Sequence, residues 1–227
     1  NNGAKYIITD SVPDKNISYN NVIIVENTLS FLMNIANQKR NLYQGKVIGI
    51  TGSIGKTSVK ENLKYFLSPY YKISASIKSY NNYLGVVISL INLDLDSEFA
   101  IFELGTNNFF EIKKLTSIVM PSQVIITNIF PTHLEKLINT KNIAKEKSDI
   151  FNKIYNPNVE LVILSNNNLD EKFIIDEARK KNISKIITFG KRTNSDLKVS
   201  KIENINDIYS KISLDFKKEK NIDLIIN

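Results

Sequence analysis

A glycine-rich turn set between an apolar run and a Lys-Thr pair constrains this chain more than any other feature. Residues Lys46 to Lys60 read KVIGITGSIGKTSVK, which predicts a strand, a tight loop and the start of a helix. Gly52 and Gly55 let backbone N–H groups approach phosphate oxygens, and the N-terminus of the following helix adds the positive end of its dipole. In such a loop Lys56 reaches the β- and γ-phosphates and the Thr57 hydroxyl holds Mg²⁺. Thr51, Gly52, Ser53, Gly55, Lys56, Thr57 and Ser58 are therefore the candidate nucleotide-binding residues. The strict pattern asks for glycine where the chain has Ile50, with Gly49 one residue early, so the generic motif is met only from Gly55 onward. The competing reading is an ordinary βα turn, which gives no reason for Lys-Thr directly after glycine.

Composition narrows the class. The 227 residues are enough for one full core with a smaller second unit, and 42% hydrophobic with 23% charged residues describes a soluble globular protein. No apolar run approaches the roughly 20 residues of a membrane span, and no basic start precedes an apolar segment. Zero cysteines exclude disulfides and thiolate metal sites and fit a cytoplasmic chain. The net charge of +7 is almost all lysine, with arginine only at 40, 179 and 192, scattered among Asn and Ile. AT-rich codons favour Lys, Asn and Ile, so the charge needs no nucleic-acid partner, and none is expected. The chain opens on Asn1 and ends in the apolar run Leu224 to Ile226, so both ends read as cuts through a longer protein.

Along the chain, Tyr6 to Ile8 and Val22 to Val25 look like the tail of a preceding unit, and Leu29, Leu32, Met33, Ile35 and Ala36 recur at helical spacing. Helices are predicted near Lys56 to Leu67, Tyr83 to Leu93, Phe109 to Val119, Thr140 to Tyr155 and Leu169 to Lys181. Strands are predicted at Tyr71 to Ser74, Phe99 to Phe102, Gln123 to Thr127, Leu161 to Leu164 and Lys185 to Phe189. This alternation indicates an α/β fold, a mostly parallel sheet with helices on both faces, of the P-loop nucleotide-binding type. From Lys191 the pattern weakens into strand-like segments at Leu197 to Ile202 and Ile208 to Phe216, with Lys217 to Lys220 as a solvated turn.

Ligands of such sheets bind at the carboxyl ends of the strands. There Glu103 follows the Phe99 strand and places a carboxylate where it can bind nucleotide-bridging Mg²⁺ or merely start a loop. His133, the only histidine, follows the Gln123 strand and is either a ligand for a second metal or structural. Lys147 lies on the apolar stripe formed by Ile143, Ile150, Phe151 and Ile154, whereas Lys141, Lys145 and Lys153 point outward. Burial lowers a lysine pKa, and a neutral amine can capture CO₂ as a carbamate, an anionic metal ligand. The alternative is a snorkelling side chain with its ammonium in solvent.

Together the blocks GITGSIGKTSVKE (49–61), SYNNYLGV (79–86), FELGTNNFFEI (102–112), TNIFPTHLEKL (127–137) and NIAKEKSDIF (142–151) resemble the ATP-dependent Mur ligases of peptidoglycan synthesis over roughly residues 20–200. The family loop, Gly-x-Thr-Gly-x-x-Gly-Lys-Thr, accounts for the offset glycine. The pair Asn81-Asn82 followed by Gly85-Val86 resembles the member that adds D-Ala-D-Ala. The resemblance implies the following. The activity is an ATP-dependent amide ligation that joins D-Ala-D-Ala to UDP-N-acetylmuramoyl-tripeptide through an acyl phosphate. ATP and Mg²⁺ are the cofactors, Thr57 and Glu103 hold the first metal, and His133 and carbamylated Lys147 serve the second. Asn81, Asn82 and Asn107 border the peptide substrate, while Lys56, Lys147 and His133 are the catalytic set. Residues 1–26 are a remnant of an N-terminal substrate-binding domain, and 27–227 are a central ATP-binding domain with its core at 46–190. A C-terminal domain is absent from this chain. The protein is expected to be monomeric and the fragment alone inactive. Three places depart from the family pattern: Phe110 stands where Gly is usual, Ile138-Asn139 replaces Gly-Ser, and Ser165-Asn166-Asn167 replaces Asn-Ala-Asp. A ligase that adds a single amino acid, or a diverged nucleotide-binding module without catalysis, stays open. A GTPase-type switch lacks its Asp-x-x-Gly and Asn-Lys-x-Asp.

Overall fold

The computed structural model describes residues 4–11, 21–132, 134–167, 169–217 and 220–226. Two short parallel strands, β1 (Ile7–Thr9) and β2 (Val22–Ile24), pair with each other and are followed by helix α1 (Thr28–Leu42). The chain then alternates through β3 (Lys46–Thr51), α2 (Lys56–Leu67), β4 (Ile73–Ala75), α3 (Tyr83–Ile91), β5 (Phe99–Glu103), α4 (Glu111–Val119) and β6 (Gln123–Ile126). It continues with α5 (Leu134–Leu137), α6 (Thr140–Ser148), β7 (Leu161–Ser165), α7 (Leu169–Lys180) and β8 (Lys185–Gly190). It ends in β9 (Leu197–Asn204), β10 (Ser210–Phe216) and β11 (Lys220–Ile226). Among the described residues no helix is long and apolar enough to cross a membrane.

The large sheet runs β11-β10-β9-β8-β7-β6-β3-β5-β4. Every pair from β4 to β9 is parallel, and the last two pairs are antiparallel. The chain passes from β3 out to β4, returns to β5 beside β3, and then crosses to β6 on the other side. Strand β3 is thus where the winding reverses, and a crevice opens there at the carboxyl ends of its neighbours.

Strand alternation divides the side chains between two faces. Val47, Ala100, Phe102, Val124, Ile126, Val162 and Leu164 join the larger core, covered by α1, α3, α4, α6 and α7. Ile48, Ile50 and Ile101 point the other way, onto Val59 and Leu63 of α2. Ile50, which breaks the generic loop motif, is fully buried in this second layer, so the loop proper begins only at Gly52. Arg40 of α1 is buried and donates to the carbonyls of Val119 (2.6 Å) and Met120 (2.9 Å), satisfying acceptors at the end of α4.

Two expectations are corrected. The helix expected over Thr140 to Tyr155 stops at Ser148 and continues only as a 3₁₀ turn, Asp149–Phe151. Asn156 draws the chain away by donating to the carbonyls of Ile150 (3.1 Å) and Pro121 (2.8 Å). Ile154 consequently leaves the apolar stripe and is 81% exposed. Of the lysine run expected as a turn, Lys217 is a turn and residues 218–219 lie outside the described residues. Lys220 already belongs to β11, which pairs with β10 over its whole length.

Candidate functional site

The carboxyl ends of β3, β5 and β6 place the glycine loop, Glu103 and Thr127-Asn128 side by side. Gly55 is the N-cap of α2 at φ +83°, a left-handed conformation that favours glycine, and no side chain caps the helix. The first N–H groups of α2, at Lys56, Thr57 and Ser58, therefore meet no capping side chain, the arrangement that suits an anion. Gly52 lies at φ +146°, and a Cβ there would collide with the Thr127 hydroxyl. The loop is braced from β6: Ser53 N and Ile54 N donate to the carbonyl (3.1 Å) and side-chain oxygen (3.0 Å) of Asn128, and Thr127 Oγ1 donates to Ile54 O (2.6 Å). The Ser53 hydroxyl donates to Phe130 O (3.0 Å) and accepts from Phe130 N (2.9 Å), so Ser53 braces the loop as well as lying in it. The Thr51 hydroxyl is buried without a partner among the described residues.

Two lysines converge on one carbonyl of this loop. Lys56 Nζ donates to Gly52 O (2.9 Å) and Ser53 O (3.4 Å), and Lys147 Nζ reaches Gly52 O from α6 at 3.1 Å. Lys147 is 3% exposed, so it does not snorkel. Burial pushes its amine down to about 7, the nearby Lys56 ammonium pushes the same way, and Glu146 partly opposes both. Burial also lowers the Lys56 pKa, against the pull of Glu103.

Glu103, at the end of β5, is buried and accepts from Thr57 Oγ1 (2.8 Å) and Asn81 Nδ2 (2.7 Å). A carboxylate and a hydroxyl at this separation, beside an uncapped helix N-terminus, fit a hard cation bridging to phosphate. Among the described residues no three His, Cys, Asp or Glu side chains cluster, so such a cation would draw its other ligands from water and phosphate. His133 lies outside the described residues.

Next to this loop is a cavity of about 490 Å³ whose walls include Lys56, Asn81, Asn82, Asn107, Glu111 and Lys114. The three asparagines expected at a peptide substrate thus all line one cavity. Asn82 also caps α3 through Gly85 N (2.8 Å), and Asn81 is committed to Glu103. Glu111 accepts from the N–H groups of Asn107 (2.6 Å) and Asn108 (3.1 Å) and fixes that part of the wall. Lys114 Nζ stands 3.7 Å from the centre of the Tyr83 ring.

Sequence reasoning missed Glu146, which is buried and accepts from Phe110 N (2.8 Å), Ile112 N (2.9 Å) and Thr106 Oγ1 (3.3 Å). It caps α4 from another helix, immediately before Lys147. Burial raises its pKa, with those backbone donors opposing. A charged residue one place from the apolar stripe carries no signal for this role. Thr127 and Asn128 had one, their place at a strand end opposite the loop.

A profile for the Mur ligase middle domain matches residues 50–226. The chain belongs to the Mur ligase family. It is 36% identical over 178 residues to the UDP-N-acetylmuramoyl-tripeptide--D-alanyl-D-alanine ligase of Rickettsia prowazekii, covering 78% of this chain and 39% of that one. Its structure is similar to that of MurF from Acinetobacter baumannii, with TM-score 0.81, 26% identity, and 99% of this chain against 47% of that one covered. The MurF ligase of Thermotoga maritima, determined in complex with ADP, shares the fold at TM-score 0.77 and 21% identity, covering 99% and 49%. This Mur ligase chain thus spans less than half the length of these relatives.

Proposed function

We propose that this chain is the nucleotide-binding part of an ATP-dependent ligase that adds D-Ala-D-Ala to UDP-N-acetylmuramoyl-tripeptide. The observation that carries the reading is the convergence of Lys56, Thr57, Glu103 and Lys147 on one glycine loop beside the asparagine-walled cavity. The names of the similar ligases supply the step and the substrates. In this reading residues 27–227 are the ATP-binding domain and 1–26 belong to a substrate-binding domain before it. Further domains of the longer relatives complete the enzyme.

Bound Mg-ATP would supply the γ-phosphoryl group that turns the tripeptide carboxylate into an acyl phosphate, leaving ADP; the amine of D-Ala-D-Ala would then form the amide bond as the acyl C–O bond breaks, with phosphate leaving and the nitrogen losing a proton. Lys56 and the first N–H groups of α2 lower the repulsion between that carboxylate and the nucleotide phosphates. Thr57 and Glu103 would hold the first Mg²⁺. The neutral amine of Lys147 would form an N–C bond to CO₂ and lose one proton, giving an anionic carbamate that, with His133, would serve a second. Asn81, Asn82 and Asn107 orient the peptide, and orientation supplies much of the rate.

The test is phosphate release from Mg-ATP by the enzyme carrying all its domains, given the tripeptide with D-Ala-D-Ala or with single amino acids. Release that requires the tripeptide and the dipeptide together is expected. Release with a single amino acid instead would move the step, and no release with ATP still bound would refute the ligase.

A further inference from the structure

Lys60 is fully buried, at 0% exposure, and is among the largest fully buried side chains of the described residues. It lies on α2 one helical turn after Lys56, the lysine of the nucleotide loop. Its ammonium donates to the carbonyls of Ser76 (3.0 Å) and Lys78 and pairs with Glu61 Oε1 (3.0 Å), whose side chain is 55% exposed. A buried ammonium is costly to desolvate, and an apolar side chain of similar volume would serve packing at least as well. What the ammonium provides and an apolar group cannot is a fixed conformation for the segment whose carbonyls it holds.

That segment, residues 76–82, joins β4 to α3 and forms one wall of the site. Lys78 holds a left-handed conformation, φ +48°, which a non-glycine residue keeps only when its surroundings impose it. At its start Ser76 N donates to Ile101 O (2.9 Å) and Ser76 Oγ accepts from Glu103 N (3.4 Å). At its end Asn81 donates to Glu103 and its carbonyl accepts from Gly105 N (2.8 Å), while Asn82 starts α3. The helix that begins at the phosphate loop therefore grips, through one side chain, the loop that carries two asparagines of the substrate cavity.

We propose that Lys60 is a positioning residue that couples the nucleotide loop to the peptide-substrate pocket, so that nucleotide seated at the start of α2 orders residues 76–82. The inference rests on the function proposed above for this site. Coupling between two ligands is reciprocal and amounts to roughly 5–150-fold in affinity.

The test uses the enzyme with all its domains and the variant Lys60→Met, which keeps the volume and removes the donors. The expected result is that the Kd for UDP-N-acetylmuramoyl-tripeptide at saturating nucleotide rises about tenfold, the Kd for nucleotide at saturating tripeptide rises by the same factor, and the Kd of each ligand alone stays within about twofold of the wild type. An unchanged mutual effect of the two ligands, or weaker binding of either ligand alone, would overturn the proposal and leave Lys60 a purely structural cation. A second measurement needs only the wild type: hydrogen exchange at residues 76–82 with and without Mg-ATP at saturation. Slower exchange with nucleotide is expected, and unchanged exchange overturns the coupling even if Lys60→Met does not fold. A wild type that binds Mg-ATP and protects the loop but never turns over tripeptide would sink the ligase reading and leave the coupling standing.

Discussion

Replacing Lys147 by Met tests the electrostatics of the site directly, because it keeps the side-chain volume and removes the ionisable group. In the folded protein the amine lies at about 7 against an ordinary 10.5, a depression caused first by burial. Each tenfold step between the two ionisation constants corresponds to about 1.4 kcal/mol, so holding this amine in place at pH 7 costs on the order of 4–5 kcal/mol. Met escapes that cost but loses the hydrogen bond to Gly52 O, about 1 kcal/mol. Lys147→Met is therefore expected to be more stable than the wild type by about 3–4 kcal/mol at pH 7. Between pH 7 and 10.5 the unfolded chain binds the extra proton, so the wild type gains stability as pH rises and the advantage of the variant shrinks by about 1.4 kcal/mol per pH unit. Below pH 7 both states are protonated and the difference is flat. Denaturant titrations of both proteins in CO₂-free buffer from pH 6 to 10 read this difference with other groups cancelling. An advantage that does not change with pH would refute a buried, depressed amine. The same variant is expected to abolish ligase activity, and added bicarbonate should not restore it, because no amine remains to carry the carbamate.

Other expectations follow from single contacts. Phe110→Gly relieves a φ of +68° at a side chain 69% exposed, and is expected to raise stability by about 0.5–1 kcal/mol, or roughly 1–4 °C in thermal midpoint. Glu146→Ala leaves the N–H groups of Phe110 and Ile112 without their acceptor and should cost about 2–3 kcal/mol in chemical denaturation. Glu103→Gln keeps the shape beside Thr57 and Asn81 but removes the charge. The Mg²⁺ concentration that half-activates the enzyme should rise tenfold or more, on the order of the loss for a removed ligand contact, and an unchanged requirement would take Glu103 out of the metal site.

The parallel sheet was legible because its strands are buried on both faces and read as continuous apolar runs, and the loop because residue 52 has no room for a Cβ and residue 55 takes a left-handed φ that favours glycine. Lys147 was legible through its spacing from Ile143 and Ile150, both fully buried. Its neighbour Ile154 misled because a periodic pattern carries no mark of the point where Asn156 takes over a carbonyl. Strand β11 was missed since its Ile222, Leu224 and Ile225 are exposed, and an isolated apolar end looks the same whether it pairs or not. Lys60 and Glu146 were unreadable for a different reason. The backbone groups they hold lie 16 or more residues away, and no spacing rule marks a charge that is buried to hold a loop.

The three departures from the family pattern weigh on whether the chain keeps a working site. Phe110 and Ile138 both adopt left-handed backbone, φ +68° and +71°, where glycine would sit without strain, and both side chains are 69% exposed. Each lies at the start of a helix that something else holds in place: Glu146 caps α4 behind Phe110, and Asn139, one residue after Ile138, caps α6 through Asn142 N (2.9 Å). Asn139 does there what a serine would do. At the third place Asn167 donates to Ser165 Oγ (2.7 Å) and accepts from Lys191 N (3.1 Å), tying the ends of β7 and β8 together. The substitutions thus cost stability at surface turns, or are absorbed by local hydrogen bonds, while Lys56, Thr57, Glu103 and Lys147 stand together around the glycine loop. Drift that has lost its function has no reason to fall only where the backbone is pinned from outside. Phe110→Gly and Ile138→Gly together are expected to raise stability and leave the KM for the tripeptide unchanged, since neither side chain lines the cavity beside Lys56; a changed KM would refute the separation of these turns from the site, and absent turnover in both proteins would mark the site as a relic.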